Sequence, residues 1–324
     1  MVETRIGFGL IGAGDVVQRF YLPALAARPR FRLAAIASAG GQTARALAAR
    51  HGIAIVCDSA AALLARPDVD AVAICTPPDR QAAIAVAALA AGKHVLIEKP
   101  IAASYGEAAA LIAAAERAVP ILYYTFNNRL RDENQHLTAR VLGGALGALD
   151  CIDVEWLRTK PVRAEAWCRD AGRAGGGVLA DLGSHLIMIA LGLVPGRTRF
   201  AARCTLQRRG GQPDAPEDLA IADVTIDGRL TALLKAGWGM ALDRPAIVNL
   251  RAFGRDGMAT NHDYDGAKAD GYGALLDRFA AHLDAGRQPD LGIVDDAARL
   301  LQALYDAARS GGVVEGRFRG GAWT

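Results

Sequence analysis

The chain has 324 residues, of which 52% are hydrophobic and 22% charged, and its formal net charge is +3 at pH 7. This length allows two domains with their own cores, and this composition excludes a disordered protein. The arginines are spread along the chain without basic blocks, so nucleic acid is not expected as a partner.

Cysteine usage and the lengths of apolar runs predict the compartment. The five cysteines are an odd number and form no Cys-x-x-Cys spacing, which argues against a disulfide framework and against a structural zinc site. No apolar run reaches the length that spans a bilayer, and residues 1–5 lead directly into a predicted strand, which leaves no room for a signal peptide. We therefore expect a cytoplasmic protein that has no membrane partner and no metal.

The first third of the chain alternates short β-like runs with alanine-rich helical runs at the spacing of βαβ units. This alternation predicts a doubly wound parallel sheet with helices on both faces. The predicted strands are 5–11, 32–37, 53–57, 71–75, 94–97 and 121–124. The predicted helices are 16–27, 43–51, 60–65, 80–91 and 105–117.

A different pattern follows residue 125. After a predicted helix at 128–142, strand-like runs follow one another through short polar turns, which predicts an open, mainly antiparallel sheet. These runs are 151–157, 200–207, 220–226, 230–236 and 247–253, and the remaining predicted helices are 178–191, 272–285 and 294–308. The sequence thus predicts an α/β protein with a doubly wound domain at 1–125 and a second α/β domain at 126–324.

The turn after the first predicted strand, residues 9–17, has the pattern of a dinucleotide fingerprint. Gly12 permits a tight turn, and Gly14 lets backbone N–H groups approach a pyrophosphate at the helix N-terminus. Val17 stands where the pattern has its third glycine. A plain strand-to-helix turn is the alternative, but the position at the first βα junction favours a cofactor site.

The end of the second predicted strand bears on the choice between NAD and NADP. Residues 37–45 contain no carboxylate that would bind the ribose hydroxyls of NAD. Ser38, Thr43 and Arg45 offer donors to a 2′-phosphate, which favours NADP over NAD. The alternative is that Arg45 is a solvated helix residue.

Two further strand ends carry candidate functional residues. Lys99 follows the apolar run 94–97, where open α/β sheets bind ligands, and Pro100 ends the strand. Lys99 is therefore the first catalytic candidate, and the alternative is a solvated lysine paired with Glu98. Thr76 and Pro77 follow the fourth strand as an extended segment, which predicts either a contact with the nicotinamide half of a cofactor or an ordinary turn.

Asp181 and His185 are the second catalytic candidates. They stand four residues apart on a predicted helix and so share a face, after the triple glycine 175–177 that permits close approach of backbone or ligand. A carboxylate beside an imidazole suits the imidazole to give or take a proton near neutral pH. The alternatives are an aspartate that stabilises the helix start and a histidine of the core. A zinc site is less favoured because no third ligand is evident.

Segments 9–14, 91–100 and 175–185 together resemble, in order and spacing, the three signatures of the glucose-fructose oxidoreductase, inositol dehydrogenase and MocA (Gfo/Idh/MocA) family. The resemblance implies a Rossmann domain followed by an α/β domain whose open sheet commonly forms subunit contacts, hence a homo-oligomer, either a dimer or a tetramer. It also implies NAD(P) chemistry on sugars, cyclitols or related polyols. The chain departs from the family at Ser38, Gln81 and Met188, where the family often has an acidic residue or Arg, a His and an Asp.

The resemblance places Lys99, Asp181 and His185 in the catalytic positions of a hydride transfer. His185 would move the hydroxyl proton, Lys99 would hydrogen-bond the reacting oxygen, and Asp181 would orient the substrate. Candidate cofactor contacts are Gly12, Gly14, Asp15, Val16, Val17, Ser38, Thr76, Pro77, Glu98, Lys99 and Asn127. Candidate substrate contacts are Arg129, Arg158, Lys160 and Trp167, with Trp156 in the same region.

Two other functions remain open on the sequence alone. One is a sensor or regulator that binds a dinucleotide without turnover, and the other is an NAD-dependent glycoside hydrolase that recycles its cofactor within each cycle. The presence of Lys99 together with Asp181 and His185 favours the enzyme.

Overall fold

The computed structural model describes residues 5–161, 167–209, 215–266 and 271–321. Its strands are β1 Ile6–Ile11, β2 Phe31–Ala37, β3 Ile55–Cys57, β4 Ala71–Ile74, β5 His94–Ile97, β6 Leu122–Tyr124, β7 Leu149–Arg158, β8 Arg199–Gln207, β9 Leu219–Ile226, β10 Leu230–Gly237, β11 Ala246–Gly254, β12 Gly257–Thr260 and β13 Val314–Arg317. Its α-helices are α1 Leu22–Ala26, α2 Gln42–His51, α3 Ala60–Leu64, α4 Pro78–Ala90, α5 Tyr105–Arg117, α6 Asp132–Leu142, α7 Ala171–Ala174, α8 Ser184–Gly192, α9 Tyr272–Ala285 and α10 Gly292–Ser310. π-helical turns at Val17–Tyr21 and Leu179–Gly183 lead into α1 and α8.

The chain divides into two compact units. The first comprises residues 1–102, 106–127 and 270–289, and the second comprises 103–105, 128–269 and 290–324. The main stretch of the first unit thus ends at residue 127. The segment 270–289, which the sequence-based division placed in the second domain, belongs to the first unit here.

The first unit contains a six-stranded sheet in the order β3-β2-β1-β4-β5-β6, in which every pair is parallel. This confirms the predicted doubly wound fold. The central strands are apolar runs because both faces of the sheet are covered, and all four residues of β4 are fully buried.

Helix α9 joins the first unit although it comes late in the chain. Its buried residues recur at helical spacing and form one apolar face, which includes Tyr272, Leu276 and Phe279. The ring of Phe279 lies 6.4 Å from that of Phe8 in β1 and 6.0 Å from that of Tyr123 in β6. Aromatic packing against the first sheet therefore determines where this helix belongs.

The second unit contains a seven-stranded sheet in the order β12-β11-β7-β10-β9-β8-β13. Only β7 and β10 pair in parallel, and the other pairs are antiparallel, so the prediction of a mainly antiparallel sheet is confirmed. In β9 and β10 buried residues alternate with more exposed ones, as a sheet with one covered face requires. The strands β12 and β13 were not predicted.

Helix α8, together with the helical segment before it, forms the apolar centre of the second unit. Every residue of α8 is buried. The helical stretch Ala171–Gly192 has the length and apolarity that a membrane-spanning helix needs, but 83% of its most apolar window is buried inside the protein. Such burial is typical of a core helix.

A buried ion pair ties the C-terminal segment to the second unit. The side chains of Arg197 and Asp296 are fully buried and their charged groups are 2.7 Å apart. Asp296 also accepts hydrogen bonds from the backbone N–H groups of Arg319 and Gly320, and Arg197 donates to the carbonyl of Leu191. The two charges are thus paired and further hydrogen-bonded, as buried charges must be.

Candidate functional site

The predicted cofactor residues of the first unit follow strand ends that lie side by side in its sheet. Ile11 at the end of β1 pairs with Ala37 and Ile74, and Ile74 pairs with Ile97. The residues that come next along the chain, namely Gly12, Ser38, Cys75 and Glu98, therefore start from one edge of the sheet. This is the edge at which parallel α/β sheets bind ligands.

The turn after β1 combines a crowded glycine with an open one. Gly12 has φ +113°, and a Cβ added there would lie 2.4 Å from the carbonyl oxygen of Cys75. A Cβ on Gly14 would meet no atom within 4 Å. The space in front of the following helix is therefore open at Gly14, as the close approach of a pyrophosphate to backbone N–H groups requires. Val17, at the third position of the fingerprint, is fully buried.

Substitutions of the two glycines should separate folding from cofactor binding. We expect Gly14→Ala to weaken binding of NAD⁺ and NADP⁺ by about tenfold or more, because its methyl group enters the pyrophosphate space, and to leave thermal stability unchanged. We expect Gly12→Ala to lower stability by about 1–3 kcal/mol, because it combines a left-handed backbone with a backbone clash. Titration calorimetry and thermal unfolding of both variants check this, and normal cofactor affinity in Gly14→Ala would contradict it.

Two residues after neighbouring strand ends have side chains suited to a bound ligand. The hydroxyl oxygen of Thr76 is buried and has no hydrogen-bond partner within the described ranges, which leaves it available to an incoming polar group. Lys99 is half-buried at the end of β5. The segment after it is held by Gln81, whose side-chain amide donates to the carbonyl oxygen of Pro100 at 2.9 Å. Gln81, one of the departures from the family pattern, therefore has a structural contact next to Lys99.

Arg45 lies over the turn that follows β2. A Cβ added to Gly41 would lie 2.9 Å from a terminal nitrogen of Arg45, so the guanidinium folds back over this glycine. The Arg45 side chain is exposed and makes no hydrogen bond or ion pair with the part of the chain that the structure describes. Ser38, just after β2, is half-buried. A free guanidinium at this strand end suits an anionic group such as a phosphate.

Glu98 does not form the solvated pair with Lys99 that was the alternative at this position. It is 7% exposed, and its carboxylate accepts hydrogen bonds from the hydroxyls of Tyr21 at 3.1 Å and Tyr272 at 3.3 Å. Burial raises the pKa of the Glu98 carboxyl, and the nearby ammonium of Lys99 opposes this shift. Its side chain therefore points into the core of the first unit.

In the second unit, the side chains of Asp181 and His185 contact residues on the same face of strand β7. A terminal nitrogen of Arg158 is 3.2 Å from a carboxylate oxygen of Asp181, and the ring of Trp156 is 5.5 Å from that of His185. Residues 156 and 158 point to the same face of β7, because side chains alternate along a strand. Asp181 is half-exposed and His185 is 4% exposed. The pair is thus gathered at the end of β7, with its carboxylate beside an arginine.

The helix that carries this pair begins on a buried cap that the sequence did not predict. One carboxylate oxygen of Glu217 accepts the N–H groups of Gly177 at 2.8 Å and Leu179 at 3.1 Å, and the hydroxyl of Tyr305 donates to it at 2.7 Å. Glu217 is 1% exposed. An anion at this position satisfies the N–H groups of the first turn and complements the helix dipole.

The triple glycine makes room for this cap. A Cβ on Gly176 would lie 1.8 Å from the hydroxyl oxygen of Tyr305, and one on Gly177 would lie 2.3 Å from the carbonyl oxygen of Glu217. The close approach expected from the glycines is thus occupied by protein groups. Because glycines have no side chain that could cap the helix, the triple glycine indicates that a residue from elsewhere in the chain caps it. The sequence does not identify that residue.

The remaining predicted residues lie in varied surroundings. Lys160 is exposed, Trp167 and Asn127 are half-buried, and Asp15 and Val16 begin the helix after the glycine turn. Asp15 forms an exposed ion pair with Arg19. Arg129 is 1% exposed, so its guanidinium does not reach solvent. Among the described residues, no group of three or more His, Cys, Asp or Glu side chains could hold a metal ion.

Two family models match most of the chain. The model described as "Oxidoreductase family, NAD-binding Rossmann fold" matches residues 6–126, and the model described as "GFO/IDH/MocA C-terminal domain" matches residues 134–260. The first match covers the strand ends of the first unit, and the second covers Asp181 and His185.

Individual relatives differ in how much of the chain they match. The dTDP-3,4-didehydro-2,6-dideoxy-alpha-D-glucose 3-reductase of Streptomyces antibioticus is 33% identical over 64% of this chain and 62% of its own length, so the chain matches less than two thirds of that relative. The D-xylose 1-dehydrogenase (NADP(+)) 2 of Haloferax volcanii is 28% identical over 95% of this chain and 99% of its own length. The crystal structure of GenD2 from gentamicin A biosynthesis, in complex with NAD, is 23% identical with a TM-score of 0.84 and covers 98% of this chain and 97% of that one. This last similarity supports the fold.

Proposed function

Because the chain belongs to the Gfo/Idh/MocA oxidoreductase family, we propose that it is an NAD(P)-dependent dehydrogenase or reductase acting on CH–OH groups. It transfers a hydride between the nicotinamide and a carbinol or carbonyl carbon of a sugar, cyclitol or related polyol. The observation that carries the proposal is that one chain holds a strand-end lysine in an NAD-binding domain and an aspartate–histidine pair gathered beside Arg158 and Trp156.

Each of the three proposed catalytic residues has one task in alcohol oxidation. His185 takes the hydroxyl proton, Lys99 hydrogen-bonds the reacting oxygen as negative charge develops there, and Asp181 orients the substrate. Arg158 fixes the Asp181 carboxylate. The bound nicotinamide supplies the two-electron acceptor, and in the reverse direction the donor. In ketone reduction His185 returns the proton to the same oxygen.

Incubation with a panel of sugars and polyols tests the proposed activity. We expect a net change in absorbance at the reduced-nicotinamide band with at least one of D-xylose, D-glucose, D-galactose and myo-inositol, or with the corresponding carbonyl compound. Silence without product would indicate a sensor or regulator. Product without a net absorbance change, from a glycoside, would indicate a hydrolase that recycles its cofactor. Either outcome would contradict the proposed function.

We propose NADP as the preferred cofactor, supported by the free guanidinium of Arg45 and by the absence of a carboxylate from residues 37–45. Arg45→Ala is expected to raise the KM for NADP⁺ by about tenfold and to change the KM for NAD⁺ by less than about twofold, because only NADP carries the 2′-phosphate. Arg50→Ala, another exposed arginine of α2, is the matched control. A wild-type enzyme that strongly prefers NADH would contradict this proposal.

We further propose a cytoplasmic homo-oligomer, a dimer or tetramer, that assembles through the sheet of the second unit. Ile221, in β9, is 46% exposed, whereas Ala220 and Ala222 point to the opposite, covered face and are buried. An apolar residue on an open sheet face suits a subunit contact. Ile221→Arg is therefore expected to shift the protein toward monomer in light scattering. A wild-type chain that stays monomeric at all concentrations would contradict the assembly.

A further inference from the structure

Glu98 sits between Lys99 and two buried tyrosines of the first unit. One oxygen of its carboxylate accepts both the Tyr21 and Tyr272 hydroxyls, at 3.1 and 3.3 Å, and the other accepts the backbone N–H of Lys99 at 3.2 Å. The carboxylate thus links the tyrosines directly to the backbone of the residue that we place at the reacting oxygen.

The two tyrosines are themselves held by packing. Tyr21 is fully buried and Tyr272 is 5% exposed. The ring of Tyr272 is stacked on Phe20 at 4.8 Å and meets Tyr21 edge to face at 5.3 Å. A side chain packed in this way keeps its rotamer, so its hydroxyl is a fixed donor.

These three donors come from separate parts of the chain. Tyr21 ends the helical turn that follows the glycine fingerprint, Tyr272 begins α9, and Lys99 follows β5. A buried carboxylate is costly unless its oxygens accept hydrogen bonds. Its position next to Lys99, with donors on both oxygens, points to a task that an apolar side chain would not perform.

We propose that Glu98 is a positioning residue that orients Lys99 for hydride transfer, and that Tyr21 and Tyr272 hold Glu98 in place. The inference rests on the proposed function, because it requires Lys99 to act on the substrate. It replaces the expectation that the Glu98 side chain contacts the cofactor. Burial raises the pKa of the Glu98 carboxyl, and the positive charge of Lys99 opposes this rise.

Two substitutions remove parts of this arrangement with little change of shape. Glu98→Gln keeps the side chain's size but replaces one acceptor oxygen with a donor, and Tyr272→Phe removes one hydroxyl. Both are expected to lower kcat by about tenfold, because a misdirected Lys99 no longer meets the reacting oxygen, and to change the dissociation constant of NADP⁺ by less than about twofold. The assay uses the sugar or polyol that gives the highest turnover.

A matched control removes the same kind of hydrogen bond elsewhere. The hydroxyl of Tyr105 donates to a carboxylate oxygen of Asp295 at 3.3 Å in the second unit. Tyr105→Phe is expected to leave kcat unchanged, which separates the loss of a tyrosine–carboxylate bond in general from its loss beside Lys99.

The Lys99→Ala background tests whether Glu98 acts through Lys99. If it does, adding Glu98→Gln to Lys99→Ala lowers the residual rate, measured at high enzyme concentration, by less than about twofold. An equal loss in both backgrounds, or normal kcat in both Glu98→Gln and Tyr272→Phe, overturns the inference. Normal kcat in Lys99→Ala would contradict the role of Lys99 and this inference with it, whereas a wild-type protein that turns over no sugar or polyol would overturn the proposed function.

Discussion

Lys99→Ala is expected to lower kcat by about 10²- to 10³-fold and to change cofactor affinity by less than about threefold. In the proposed mechanism the ammonium stabilises negative charge on the reacting oxygen, an interaction that is stronger in the transition state than with bound substrate. The glycine turn that we expect to bind the pyrophosphate is unchanged in this variant. Steady-state turnover, together with calorimetric titration of NADP⁺, checks both parts of the expectation.

Lys93 offers the matched control at the other end of β5. Its ammonium donates to the carbonyl oxygens of Arg66 and Val69, both at 2.8 Å. Lys93→Met should therefore lower the thermal midpoint but leave kcat unchanged, because it leaves two backbone carbonyls without their donor. Near-normal turnover in Lys99→Ala would contradict the catalytic role of Lys99.

Asp296→Ala is expected to lower the free energy of unfolding of the second unit by about 3–5 kcal/mol, because it leaves the guanidinium of Arg197 buried without a counter-charge. The backbone N–H groups of Arg319 and Gly320 lose their acceptor as well. The tryptophans that the structure describes, Trp156, Trp167 and Trp238, belong to the second unit. Urea unfolding followed by tryptophan fluorescence therefore reports on the second unit.

Two further variants test whether the loss of stability in Asp296→Ala comes from the buried ion pair. Asp306→Ala, which removes an exposed partner of Arg309 on the same helix, should change the free energy of unfolding by less than about 1 kcal/mol. Replacing both Arg197 and Asp296 by leucine should recover part of the loss, because no unpaired charge remains. A loss below about 1 kcal/mol in Asp296→Ala would show that the pair is not the buried unit described above.

The alternation of the first unit could be predicted from the sequence because each of its strands is a local apolar run. Strand β5, for example, has the predicted bounds 94–97, and its residues 95–97 are all apolar. By contrast, β13 is Val-Glu-Gly-Arg, which has no apolar run and becomes a strand only because β8 offers a free edge. Long-range pairing determined this element, and no local pattern reports it.

The same limit applies to the candidate site. Glycines 12 and 14 and the strand-end Lys99 are placed by local signals, so they could be predicted. Glu217 lies 40 residues from Gly177, and Tyr305 lies 128 residues from it, so the cap of the helix that carries Asp181 could not be identified. Likewise, the apolar face of α9 predicts a helix but does not say which core it joins.

The return of α9 to the first unit has a consequence for how the protein is made. All six strands of the parallel sheet lie between residues 6 and 124, so they are synthesised early. Helix α9, whose Phe279 packs against Phe8 and Tyr123, is synthesised only after residue 271. A gene fragment that stops at residue 127 therefore encodes a nucleotide-binding domain with exposed aromatic rings and without the hydroxyl of Tyr272. Such a fragment should aggregate on expression, whereas a fusion of 1–127 to 270–289 through a short linker should remain in the supernatant.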